Sequence, residues 1–141
     1  MRVLGMLLAL SLTAALSTQA LADQMPSSPG AKVFIVSPKN GAKVKSPVTV
    51  LFGIKGMTVG PAGVKADNTG HYHLLIDTPV PSDLGTPLPA TDNIKHFGKA
   101  QTQTTIDLAP GKHTLQLLFA DYLHVPFNPN VVSKKITITV E

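Results

Sequence analysis

The run Gly70-His71-Tyr72-His73-Leu74-Leu75-Ile76-Asp77 sets two imidazoles two residues apart in a segment that reads as a β-strand. Side chains alternate along a strand, so His71 and His73 share one face. Neutral imidazoles at that spacing can both reach one soft or borderline cation, and imidazole suits copper, zinc, iron and nickel. Further donors must come from elsewhere in the chain. The segment Asp121-Tyr122-Leu123-His124-Val125-Pro126-Phe127-Asn128-Pro129-Asn130 offers Asp121 and His124 on a loop whose prolines limit the backbone. His71, His73, His124 and Asp121 are therefore the candidate metal ligands, a donor set for zinc or copper(II). Met57, in the loop Gly56 to Gly70, would add a thioether suited to copper(I), or else simply anchor that loop. The competing reading of the histidines is polar surface that only hydrogen-bonds loops. Tyr122 and Phe127 open a second function class, a non-catalytic interaction module of the cell envelope that presents aromatic contacts to a protein partner.

Other chemistries lack their residues. The chain has 0 Cys, and no Gly-x-Ser-x-Gly elbow surrounds any serine. Glu141 is the only glutamate, so a His-Glu-x-x-His zinc site is ruled out, and no phosphate-binding loop or dinucleotide fingerprint occurs. The chain reads as a non-enzyme; redox activity through bound copper is the one catalytic version with its parts in place.

Residues 1–22 read as a signal peptide: Arg2 precedes the apolar run Val3 to Leu16, and Ala20-Leu21-Ala22 supplies the small-x-small cleavage site. The run is short for a bilayer span and no stop-transfer pattern follows. Cleavage after Ala22 predicts a periplasmic or secreted, soluble protein with no membrane span after signal removal. Its N-terminus would be Asp23, which leaves no N-terminal His for a copper brace and no Cys for a lipid anchor. Of the 141 residues, 119 would remain, enough for one domain without cross-links. Losing Arg2 leaves 11 basic residues against 8 acidic ones, a net charge of +3 with histidines neutral. Those lysines are scattered and carry no aromatic stacking platform, so nucleic acid is not an expected partner.

The elements that must position the histidines are all extended. Asp23 to Ala31 is rich in Pro, Ser and Gly and reads as a flexible lead-in; residues 32–141 read as a single β-sandwich domain. Strands are expected near Lys32 to Ser37, Val48 to Ile54, Tyr72 to Asp77, Thr104 to Leu108, Thr114 to Ala120 and Ser133 to Val140, with a seventh around Ile94 to Phe97. Ile136, Ile138 and Val140 alternate with Lys135, Thr137 and Thr139, and Leu115, Leu117 and Phe119 alternate with Thr114, Gln116 and Leu118. About seven such runs predict an all-β, immunoglobulin-like antiparallel β-sandwich, with a small β-barrel as the alternative. Asn40-Gly41 predicts a reversal between early strands.

In such a sandwich the third and sixth runs are antiparallel neighbours, so His71 and His73 at the start of one meet Asp121, Tyr122 and His124 just beyond the end of the other. The cluster is expected at one tip, with Met57 if its loop folds over. His113 falls at the opposite tip, two residues ahead of Leu115, where a corner Tyr bonds back to its turn in immunoglobulin-like domains; a structural hydrogen bond to a turn carbonyl is expected of it. His96 has no predicted place, because Pro79 to Asp92 can carry it to either sheet.

From about Val33 to Val140 the chain resembles the bacterial domain of unknown function 4399 family. The matching features are Gly70-His71-Tyr72-His73-Leu74-Leu75-Ile76-Asp77, His96-Phe97-Gly98, Pro110-Gly111-Lys112-His113-Thr114-Leu115-Gln116-Leu117 and His124-Val125-Pro126. The resemblance implies an exported bacterial protein and supplies no mechanism. This chain departs from the pattern at Tyr72, Ile94 and Phe127, where related sequences tend to carry further histidines.

Overall fold

The computed structural model describes residues 23–141; the signal-peptide reading of residues 1–22 lies outside the described residues. Those described contain ten strands and no helix. They are β1 (Lys32–Ser37), β2 (Lys43–Val44), β3 (Val48–Lys55), β4 (Thr58–Val59), β5 (Thr69–Ile76), β6 (Ile94–His96), β7 (Gln103–Ile106), β8 (Gly111–Ala120), β9 (Pro126–Val132) and β10 (Ile136–Val140).

A three-stranded sheet has the order β1-β3-β7 and packs on a seven-stranded sheet of order β2-β10-β8-β5-β4, to which β6 joins along β5 and β9 along β8. Val33, Val50 and Phe52 from the smaller sheet meet Tyr72, Leu74, Leu117, Phe119 and Ile138 from the larger one in a single interior. Period-two alternation supplies both inner faces, as expected of two stacked sheets. The two sheets are open, which sets the barrel aside. Strand number and pairing are not those of a seven-stranded antiparallel sandwich: β2 runs parallel to β10 and β4 runs parallel to β5.

Three departures from the sequence reading have clear physical causes. Asn40-Gly41 does not close a hairpin. Instead it carries the chain from β1 in one sheet to β2 in the other, with Gly41 at φ 82° and Asn40 Oδ1 accepting from the Thr137 amide at 2.8 Å. The proline-rich segment after Val125, read as loop, forms β9 at the margin of the sheet, where Pro126 and Pro129 need no amide for the ladder. Residues 23–31, read as a flexible lead-in, lie along β9: the Asn128 amide donates to Met25 O at 3.0 Å, and Gln24 Nε2 donates to Leu84 O and Pro126 O at 2.6 and 2.9 Å.

The feature that creates the site is a second apolar cluster on the outer face of the larger sheet. Leu75, Leu118, Ala120 and, on β6, Ile94 are covered there by Leu88, with Val80 and Leu84 against them. The segment Pro79 to Asp92 thus roofs a face that alternation alone would leave wet. Nearly every residue of β5 is buried as a result.

Candidate metal centre

His71 and His73 stand on that roofed outer face, opposite Tyr72 and Leu74 in the interior, and both are fully buried. The antiparallel register of β5 with β8 pairs His71 with Ala120 and His73 with Leu118, so the chain leaving β8 turns directly above the two rings. In that turn the Asp121 amide donates to Val125 O and the His124 amide donates to Asp121 O, both at 2.9 Å. His124 adopts φ 65°, a left-handed conformation in which His is over-represented, and its ring folds back over β5.

Three nitrogens converge. His71 Nε2 lies 2.9 Å and His73 Nε2 3.2 Å from His124 Nδ1, and the ligand atoms of the three residues all lie within 4.8 Å of one another. Nitrogens about 2.0–2.1 Å from one tetrahedral zinc stand about 3.3 Å apart, a spacing close to the 2.9 and 3.2 Å found about His124 Nδ1. Buried Nδ1 of His71 and of His73 have no hydrogen-bond partner. These atoms are on the other side of each ring from Nε2, so an ion held at the Nε2 atoms does not pair them, and each costs about 1–3 kcal/mol with or without it.

Electrostatics keep these rings neutral, the form that carries a lone pair. Burial, reinforced by the charges of His124 and His96, pushes His71 down to about 4. Burial also pushes His73 down to about 2, aided by His71, His96 and His124. His124 is lowered by burial and by His96, with the Asp121 carboxylate acting the other way.

His96 completes the surroundings. Pairing of β6 with β5 sets it directly across from His73, and its ring centroid lies 4.4 Å from that of His73 and 4.6 Å from that of His124. The sequence signal was present in the run Ile94 to Phe97. Its partner strand is set by the path of the chain between Pro79 and Asp92 across the outer face.

Asp121 and Met57 have other tasks. Asp121 stands outside the three-histidine group, and its Oδ1 accepts from the Leu123 and Val125 amides at 2.8 and 3.0 Å. It shapes the turn that presents His124 and sets a negative charge near it. Met57 is buried in the sandwich interior with Phe52 and Tyr72, on the opposite side of the sheet from the imidazoles, so it anchors its loop and supplies no thioether. Phe127 is likewise fully buried in the interior. The turn-shaping role predicts that Asp121→Asn, which keeps an acceptor oxygen, retains most stability and metal affinity. Asp121→Ala strands two backbone donors and costs about 1–3 kcal/mol in denaturant unfolding.

Residues 50–141 match the family described as Domain of unknown function (DUF4399), a span that includes all four clustered histidines. The chain belongs to the DUF4399 family. No curated protein and no solved structure matches it.

The fifth histidine of this DUF4399 chain is structural. His113 Nδ1 lies 2.6 Å from Asp77 Oδ2 and its Nε2 lies 2.7 Å from Ala109 O, so both ring nitrogens face acceptors and both N–H groups of an imidazolium can donate. The bond to Asp77 chiefly, then that to Ala109, raises its pKa above the usual 6.5. A raised folded-state pKa contributes stability that is complete below pH about 6.5 and is lost as pH rises through the folded value. His113→Gln should therefore destabilise the protein by about 1–2 kcal/mol at pH about 6, with the deficit shrinking toward pH about 9, as read by urea unfolding at each pH.

Proposed function

We propose that this is an exported, periplasmic binding protein without catalytic activity that takes up one copper(II) or zinc ion through His71, His73 and His124. The observation that carries the reading is the convergence of three imidazole nitrogens, 2.9 and 3.2 Å apart about His124 Nδ1, at a position where two of the rings are fully buried. Neutral nitrogen donors without thiolate or thioether favour copper(II) and zinc over copper(I), and copper(II) should bind the tighter of the two. Export is supported by Arg2, the apolar run Val3 to Leu16 and Ala20-Leu21-Ala22.

Isothermal titration of the protein with copper(II) or zinc should show about one equivalent of saturable uptake, with protons released as ligands bind. Absence of saturable uptake would overturn the reading. An envelope interaction module finds less support, because Phe127 is buried and Leu123, 48 % exposed, is the one large apolar side chain that the Asp121 to Asn130 segment exposes.

A further inference from the structure

We infer that His96 supplies a fourth nitrogen to the ion, making a closed four-imidazole centre with no strong position left for solvent or substrate. The inference rests on the three-histidine reading and says what kind of site it is.

Ring spacing is the first support. Centroids within the trio are 4.6 Å apart for His71 and His73, 4.7 Å for His71 and His124, and 5.5 Å for His73 and His124. The His96 ring is 4.4 Å from His73 and 4.6 Å from His124, so it stands as close to these two as the trio's members stand to each other. Register is the second: directly paired residues on neighbouring strands project to the same face, and His96 is the cross-strand partner of His73. Hydrogen bonding is the third. His96 Nε2 lies 3.1 Å from the Pro89 carbonyl, which can only accept, so Nε2 carries the proton and Nδ1 carries the lone pair. Metal-ligating histidines commonly donate their other ring N–H to a backbone carbonyl in this way.

His96 lies outside the three nitrogens that fall within 4.8 Å of one another. It is half-buried on a strand of three residues, whereas His71 and His73 are enclosed. The buried pair and His124 form a preset half, and His96 closes over the ion from the rim. A zinc centre with four protein ligands leaves no open position, whereas catalytic zinc keeps one for water, and copper(II) with four imidazoles in its plane keeps only weak axial positions. The ion is then cargo or a structural element rather than a reagent.

The test loads the full protein with copper(II) and counts bound imidazoles by pulsed electron paramagnetic resonance, with water-proton relaxation reporting any coordinated solvent. Four imidazoles and no equatorial water ligand are expected; a weak axial water on copper(II) is compatible with the closed set. His96→Gln, which keeps a donor for Pro89, should give three imidazoles, an equatorial water and an affinity lower by about tenfold to a hundredfold. Three imidazoles plus an equatorial water in the unaltered protein, or an unchanged spectrum in His96→Gln, would overturn the inference and leave the three-histidine reading standing. Failure of the unaltered protein to take up copper would overturn both.

Discussion

Copper(II) or zinc at about a hundredfold excess over its Kd should stabilise the folded protein by about 2.7 kcal/mol, a rise in apparent Tm of about 10 °C for a domain of this size. Changing both His71 and His73 to Ala should erase the rise, because each contributes an Nε2 within 3.2 Å of His124 Nδ1 and their loss leaves only His124 and His96 of the clustered imidazoles. Calorimetric scans with and without metal, and with a chelator as control, read the effect directly. Persistence of the rise in the double variant, with circular dichroism showing it folded, would move the site elsewhere.

The same two histidines give the metal-free protein an acid-labile fold. Their folded-state values, about 4 for His71 and about 2 for His73, lie below the ordinary 6.5. The unfolded chain therefore binds protons first, and stability falls as pH drops from about 6.5 toward these values. Because the rings stay neutral in the fold, metal uptake should persist at pH about 5.5, where a free imidazole is mostly protonated, and disappear at lower pH.

A methyl group at residue 70 should be the most damaging small change in the strand. A Cβ there would stand 2.5 Å from the Ala120 carbonyl oxygen, 2.7 Å from the Phe127 ring and 2.8 Å from the Phe119 ring. The first of these is backbone in the strand that faces His71, so relief requires β5 and β8 to separate at the site. Gly70→Ala should cost about 3 kcal/mol in urea unfolding and weaken metal binding in step, since His71 is the next residue. A variant as stable as the parent would mean that the contact between β5 and β8 is looser at this end than the register implies.

Much of the architecture was legible because alternation reports which side chains share a face. The expected strands over Lys32 to Ser37 and Val48 to Ile54 correspond closely to β1 and β3, and the pairing of the His-bearing strand with Thr114 to Ala120 is the observed pairing of β5 with β8. Strands β2 and β4, of two residues each, leave no periodic signal, and β9 was masked by its prolines. Leu118 illustrates the limit of alternation: it lies opposite the interior set, as expected, yet it is fully buried, because a long segment without a strand pattern folds across it.

The candidate site divides in the same way. Local sequence determined that His71 and His73 project together, that His124 follows the adjacent strand, and that His113 bonds to its own turn, since all three depend on strand period and near-neighbour turns. Tertiary structure decided the rest: Met57 and Phe127 fill the interior, His96 joins the imidazoles, and the rings are buried instead of wet. The physical reason is that burial and pairing on the outer face depend on where Pro79 to Asp92 packs, and the contacts that place this segment involve residues remote from it in the chain.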